Sequence, residues 1–387
     1  MRHGDGHVKA LDAICLIDAM CPPHANRGVM KRRFPLFIAL LLGLVLSSSA
    51  QMVVHHINVG QADATLLEFT KAAVLVDAGG SGTAGDPDRK HLSDYLENFF
   101  ARRTDLHRTL YSLIISHPHI DHTKYLMDVL NGFDGNPPIR VQNLVDNGDD
   151  RNSSGSSQVK NARAFLTEKN DEKPNSMIYN SIQDAKITKQ GYTTSWFRTL
   201  RQKTGAEIIF LNGLQACKNR NNDSVVVLVR YAGVKVLLAG DSEWDSDNET
   251  CVPAIPRMLD KYRRSSLLNV DIYKVGHHGS PNGTNDDYLE AMSPKISIIS
   301  AGYYKDRQAN NGPFDAWNYG HPRKTLIEEL ERFTTGTRQT KEVYGMAKAK
   351  GDAETIVMHK AVYCTCWDGD IRINISARGT IRVHVSK

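Results

Sequence analysis

From Leu113 to His122 the chain reads Leu-Ile-Ile-Ser-His-Pro-His-Ile-Asp-His, a short apolar run ending in three histidines and an aspartate. An apolar run of that length is expected to form a buried strand, which would deliver His117, His119, Asp121 and His122 from one short turn at its end. Imidazole nitrogens together with a carboxylate are the donor set preferred by zinc and its first-row neighbours. Four donors within six residues suffice to begin two adjacent sites, with His117 and His119 on one ion and Asp121 and His122 on the other. A histidine-rich surface loop would carry the same letters. A metal site additionally needs ligands from distant segments.

Two later segments supply them. Val236-Leu237-Leu238-Ala239-Gly240-Asp241 is a buried-type strand ending in Gly-Asp, so Asp241 emerges where a single carboxylate can bridge two ions. Asp271 to Ser280 is a second such strand, ending in His277-His278-Gly279-Ser280. A lone Gly-Asp usually marks a turn and a lone His-His a surface feature. Three strand ends that all deliver ligands make chance a poor account.

The surrounding pattern alternates short apolar strands with amphipathic helices and predicts an α/β fold. Val53 to Val59, Thr65 to Phe69 and Ala73 to Asp77 read as consecutive strands, followed by a Gly-rich loop and a helix capped by Asp86 with Pro87 in its first turn. Residues from about 132 to 205 are polar and read as an insertion over one edge of the core, of a length that is often functional or mobile. Val225 to Tyr231 and Val234 to Ala239 flank Ala232-Gly233 and predict a hairpin. Further strands are expected at Asp271 to Val275 and Lys295 to Ala301, and helices near Asp286 to Met292 and from Pro322 to Phe333. The resulting division is a leader over 1–50, a main α/β domain over 51–335 and a β-rich C-terminal extension over 336–387, ending in the alternating segments Ile371 to Ile375 and Ile381 to Val385.

The leader speaks to compartment. Lys31-Arg32-Arg33, an apolar stretch from Leu36 to Leu46 and Ser47-Ser48-Ser49-Ala50 form a secretory signal pattern. The apolar stretch is shorter than the roughly 20 residues of a spanning helix, so no stable membrane insertion is expected after cleavage. Met30 is the expected true start, which would make residues 1–29 a mis-assigned extension. The chain is therefore expected to be exported, to the periplasm or outside the cell. Beyond the leader remain Cys217, Cys251, Cys364 and Cys366. Cys364 and Cys366 are expected to be too close for a mutual bridge in an extended segment, leaving a bridge from that pair to Cys217 or Cys251, or reduced thiols. The net charge of +5 includes three charges from the leader, where six basic side chains outnumber three acidic ones, leaving about +2 beyond it. A protein whose affinity rests mainly on phosphate contacts carries a larger basic footprint, so activity on nucleic acid would depend on the site and on local patches.

The order H-x-H-x-D-H, then Gly-Asp, then a later histidine resembles the metallo-β-lactamase superfamily, and within it the soluble hydrolase domain of ComEC-like DNA-uptake competence proteins. The likeness includes Val59-Gly60-Gln61-Ala62-Asp63-Ala64, Leu75-Val76-Asp77-Ala78-Gly79, Ser116 to His122, Asn222-Asp223-Ser224, Gly240-Asp241, His277-His278-Gly279-Ser280 and Asn318-Tyr319-Gly320-His321-Pro322. It implies an αββα sandwich with one or two divalent ions, zinc or manganese, where the loops of the two sheets meet. It implies His117, His119 and Asp241 at one ion, and Asp121, His122, His278 and Asp241 at the other. His278 is preferred to His277 because His278-Gly279-Ser280 fits the H-x-S/T pattern of related hydrolases. Lactamase-type members carry another histidine about where this chain has Asn222-Asp223. Asp223 is then an additional oxygen ligand, which would favour harder ions such as Mn²⁺. Asp63 and Asp77 are candidates to orient ligand histidines, or simply to close turns beside Gly60 and Gly79.

The expected activity is metal-dependent hydrolysis of a phosphodiester, nuclease activity on DNA included, through a metal-bound hydroxide. Two ions can clamp the attacking and leaving oxygens of an in-line displacement and acidify the water between them. Asp121 would also orient that hydroxide, and His277 or His321 would serve as general acid. The alternatives are hydrolysis of a lactam or ester, and a non-catalytic binding module that keeps the fold. No protein partner can be inferred.

Overall fold

Strands Gln51–His56, Thr65–Phe69 and Ala72–Val76 are buried on both faces, which explains why they read as near-continuous apolar runs. Alternate side chains leave on opposite sides. Met52, Val54, Leu67, Phe69, Val74 and Val76 join one core, while Leu66, Ala73 and Leu75 join a second. The computed structural model describes residues 51–80, 87–170, 177–245, 250–303 and 316–387. The leader, its Met30 start and the Asp86 cap lie outside the described residues.

Eight strands form the first sheet, in the order Ile381–Val385, Ile371–Ser376, Gln51–His56, Thr65–Phe69, Ala72–Val76, Ser112–Ile114, Asn143–Asp146, Ile178–Ser181. Six form the second, in the order Val362–Cys364, Ile296–Ile299, Ile272–Lys274, Val234–Leu238, Val226–Tyr231, Glu207–Asn212. The larger core joins Val54 and Val74 of the first sheet to both faces of the second, with Val227 on one face and Leu237 on the other. The outer face of the first sheet is covered by Pro87–Arg102 and Leu126–Asn131, which contribute Leu96, Phe99, Leu126 and Val129 to the second core. Helices Ala254–Tyr262, Asp286–Met292 and Lys324–Phe333 pack on the second sheet through Ile255, Met258, Leu289, Leu326 and Leu330. Each fully buried Leu or Ile contributes roughly 2 kcal/mol. The fold is thus the helix–sheet–sheet–helix sandwich.

Several elements differ from the sequence expectation. Within the polar stretch 132–205 two strands join the first sheet: Asn143–Asp146 pairs in parallel with Ser112–Ile114, and Ile178–Ser181, the edge strand, pairs in parallel with Asn143–Asp146. They were masked by their length of four residues and by Asn, Asp and Ser within them. The C-terminal region divides between the sheets, giving Val362–Cys364 to the second and two strands to the first, beside an antiparallel hairpin of Thr337–Met346 and Ala353–Lys360. The helix expected from Pro322 begins at Lys324. Arg323 is still extended because the Pro322 carbonyl and Arg323 pair with Met346 of that hairpin.

The cysteines also pair differently. Cys217 bonds to Cys251 and Cys364 to Cys366. The chain at Cys364 is not extended onward but turns into the helical turn Thr365–Asp368, bringing the two Cα atoms to 5.1 Å, within the span of a disulfide. Among the described residues no helix is long and apolar enough to cross a membrane.

Candidate metal centre

Six loops at one edge of the sandwich are knitted together by backbone hydrogen bonds. Val225 N–H donates to Ser116 O across the two sheets, Asp63 N–H to Asp121 O, Ala78 N–H to His122 O, and His277 N–H to Gly240 O. The fit leaves no room beside Gly79, where a Cβ would fall 1.6 Å from the Asp121 carbonyl oxygen. Consecutive His277, His278 and Gly279 all have positive φ, at 47°, 51° and 80°. For a non-glycine residue this conformation costs roughly 1–2 kcal/mol, and such strain gathers where a site requires a particular side-chain direction.

The strand end after Ser112–Ile114 places its histidines as a set. His117 Nε2 and His119 Nδ1 converge to 2.9 Å, and His117 Nε2 lies 3.8 Å from Asp241 Oδ2. His122 Nε2 is 3.1 Å from Asp241 Oδ1. His278 Nε2 is 3.6 Å from Asp241 Oδ2 and 3.3 Å from Asp121 Oδ2. Asp241 therefore stands between both groups of histidines. All of these side chains are buried except His119 and Asp121, which open to the cavity.

Each ring is turned by its other nitrogen. His122 Nδ1 meets Asp77 Oδ2 at 2.8 Å, and Asp77 also accepts from Ser116 N–H and its hydroxyl. His278 Nδ1 donates to the Ser300 carbonyl at 2.9 Å. Asp63 is held by buried Lys274 and lies 3.8 Å and 4.0 Å from the Nδ1 atoms of His122 and His278, on the side of the rings away from Asp241. Asp63, His122, Asp241 and His278 carry ligand-type atoms within 4.8 Å of one another. The Nε2 side is where a cation fits, because His122 Nε2, His278 Nε2 and Asp241 Oδ1 are buried there without hydrogen-bond partners, a costly state unless something binds them.

Electrostatics point the same way. Burial opposes charge on His122 and His278, yet Asp241, with Asp77 and Asp121 respectively, lifts both above the usual imidazole range. Burial likewise opposes charge on Asp241, but His122 and His278 hold it well below the usual carboxylate range. Burial and the neighbouring histidines keep His117 well below its ordinary value, hence neutral and ready to coordinate. A divalent cation would take the place of the protons on His122 and His278.

Asp223 is not brought to this group. Its carboxylate accepts from Gln215 N–H, Cys217 N–H and the Arg151 guanidinium. Both oxygens are thus engaged, Oδ1 by the backbone of the Cys217 loop and Oδ2 by Arg151.

Above the ligands opens a cavity of about 220 Å³, floored by His119, Asp121, Asp241 and His278. Its walls are Gln61, Asn221, His277 and His321, with Ser154 and Tyr319 at the rim. His277 Nδ1 is held by Glu243 Oε1 and Asn282 Oδ1, both at 3.0 Å. Although burial opposes it, Glu243 and Asp241 raise His277 to about 9. Burial holds His321 well below the ordinary imidazole value, and its Nδ1 meets Gln61 Nε2 at 3.2 Å. Glu243, Asn221, Gln61 and Lys274 were not singled out from sequence as site residues. Gln61 and Glu243 each sit two residues from a singled-out aspartate, but that proximity alone carries no chemical signal.

Comparison with known proteins identifies the family of the chain. The sequence profile of the metallo-beta-lactamase superfamily matches residues 57–303. ComE operon protein 3 of Bacillus subtilis (strain 168) is 29% identical over 122 residues, 32% of this chain and 13% of that protein. Recombination protein 2 of Haemophilus influenzae is 30% identical over 120 residues, 31% of this chain and 12% of that protein. The matched part thus spans about an eighth of each relative's length. Among solved structures, the metallo-beta-lactamase fold protein YhfI from Bacillus subtilis is 13% identical, with a TM-score of 0.39 over 79% of this chain and 100% of its own. Igni18, a metallo hydrolase from Ignicoccus hospitalis, is 11% identical, with a TM-score of 0.39 over 79% of this chain and 98% of its own.

Proposed function

The chain belongs to the metallo-β-lactamase superfamily, and on that basis we propose that it is an exported metal-dependent phosphodiesterase acting on nucleic acid. The observation that carries the reading is the cavity wall. Besides the ligands the cavity is lined by Gln61, Asn221, His277 and His321, nitrogen-bearing side chains that suit the anionic oxygens of a phosphodiester better than the apolar body of a lactam.

His117, His119 and Asp241 would hold one ion, and Asp121, His122, His278 and Asp241 the other, a mixed nitrogen and oxygen set that suits zinc or manganese. When bound, the ions supply Lewis-acid stabilisation of phosphoryl oxygens and a water of lowered pKa. Asp121, partly open to the cavity, orients the attacking water. His277 has its Nδ1 committed to Glu243 and Asn282, so its Nε2, which has only a 3.5 Å contact with Asn221 Nδ2, is the nitrogen that would give a proton to the leaving oxygen. His321, kept neutral by burial and steadied by Gln61, donates a hydrogen bond to a phosphoryl oxygen. Asp77 and the Ser300 carbonyl keep His122 and His278 facing the ions. The two disulfides support an oxidising compartment, as export requires.

The test is a panel of single- and double-stranded DNA, RNA, a bis-aryl phosphate and nitrocefin, with Mn²⁺ or Zn²⁺, on the native protein and on Asp121→Ala. Phosphodiester cleavage should vanish in the variant with an unchanged circular-dichroism spectrum. Fast nitrocefin turnover without phosphodiester cleavage would transfer the reading to lactam hydrolysis. An absence of bound metal would transfer it to a binding module.

A further inference from the structure

Strands Ile296–Ile299 and Val362–Cys364 run side by side in parallel, with Ile299 opposite Cys364. The chain therefore leaves the sheet at Ser300–Gly302 directly beside Thr365. The buried Thr365 hydroxyl accepts from Ala301 N–H at 3.0 Å and donates to Ala301 O at 2.9 Å. Both neighbours of Ala301 serve the site. The Ser300 carbonyl accepts from His278 Nδ1 at 2.9 Å. Gly302 N–H donates to Gln61 Oε1 at 3.2 Å, and Gln61 in turn meets His321. One hydroxyl thus fixes the residue whose flanks aim a ligand histidine and a cavity-wall histidine. Cys364 and Cys366, both buried, are joined across that same threonine.

We propose that Thr365 is a positioning residue for His278 and His321, and that the Cys364–Cys366 disulfide keeps its hydroxyl aimed at Ala301, so that order in the site depends on the oxidation state of this pair. The proposal rests on the metal-centre reading given above. A bond closed over a single residue removes most of that residue's backbone freedom. Without the hydroxyl, the buried N–H and C=O of Ala301 lose their partner, a cost that shifting the segment would relieve. A dithiol reductant opens the brace by giving two electrons and two protons: the S–S bond breaks, Cys364 and Cys366 become thiols, and the reductant becomes a disulfide.

Four proteins decide it: the native chain, Thr365→Ser, Thr365→Val, and the double variant Cys364→Ser with Cys366→Ser, which keeps Cys217–Cys251. The readouts are Mn²⁺ affinity by calorimetry, and kcat and KM on a bis-aryl phosphate, with circular dichroism as the folding control. Valine keeps the shape and loses the hydroxyl, so Mn²⁺ affinity and kcat should each fall about tenfold with KM little changed, while serine restores both to within about twofold. The double variant should fall as valine does, and a mild dithiol should weaken Mn²⁺ binding in the native chain without weakening the double variant further. Native-like affinity in Thr365→Val, or equal damage from serine and valine, overturns the proposal, and so does a double variant that behaves as the native chain. If Thr365→Val fails to fold, the affinity of the double variant decides alone. If the native protein binds Mn²⁺ but cleaves no phosphodiester, the phosphodiester reading fails while the affinity series still judges Thr365.

Discussion

Asp223 and Asp241 are buried carboxylates at the two ends of one hairpin, the first just before Val226–Tyr231 and the second just after Val234–Leu238. They differ in what surrounds them. Asp223 is saturated by two backbone N–H groups and Arg151. Asp241 faces His122 Nε2 at 3.1 Å through Oδ1 and His278 Nε2 at 3.6 Å through Oδ2, and neither Oδ1 nor the two Nε2 atoms makes a well-directed hydrogen bond. Burial of a carboxylate is therefore no sign of a metal site. Several unsatisfied donors and acceptors converging on one point are, because isolated buried polar atoms are expensive and a cation answers all of them at once.

The contrast makes opposite predictions for the two aspartates. Asp241→Ala should lower phosphodiester turnover on the order of a thousandfold, since metal-borne stabilisation of a transition state is worth several kcal/mol. Metal content measured on the purified variant should drop with it, while the far-ultraviolet circular dichroism stays native. Normal metal content in this variant would remove Asp241 from the centre. Asp223→Ala should behave the other way. It strands two backbone N–H groups and one bond of Arg151, so stability to urea should fall by about 3 kcal/mol with metal affinity per folded molecule retained. A selective loss of metal affinity there, with stability intact, would erase the distinction.

Sequence alone could not draw that distinction. Both aspartates stand in short polar breaks beside apolar runs, and what saturates Asp223 is Arg151, 72 residues away along the chain. The ligand-bearing strand ends were legible because apolar runs such as Leu113-Ile114-Ile115 and Val236-Leu237-Leu238 stop abruptly at His or Gly-Asp. The α/β class followed from such runs, and the sandwich from the family resemblance. The polar strand Asn143–Asp146 was illegible because two of its four side chains are Asn and Asp, here buried and satisfied by partners such as Ser112, Arg163 and Tyr179. Glu243, Asn221 and Lys274 gave no signal since their roles arise only from the side chains the fold sets against them. The Cys364–Cys366 bridge was missed because the chain turns at Thr365, a bend that strand periodicity does not announce.

Asp368 extends the comparison to a third buried carboxylate, saturated like Asp223 but far along the chain. It is fully buried and bonded to Arg338 and Lys341, and it also accepts from Cys364 N–H. Burial alone would push its carboxyl up, yet Arg338 and Lys341 outweigh that and hold it below the usual carboxylate range. A carboxylate whose pKa is lower folded than unfolded binds its proton more readily in the unfolded chain. Its stabilising contribution is then complete above the unfolded value of about 4, and disappears as pH falls through the folded value. Asp368→Asn should therefore cost about 2 kcal/mol at neutral pH, and the gap between native and variant urea midpoints should close progressively on acidification below about pH 4. The gap should be the same with or without Mn²⁺, because the saturated carboxylate has nothing to offer a cation. A gap that widens with metal, or that grows on acidification, would mean that Asp368 is not held in the way its partners indicate.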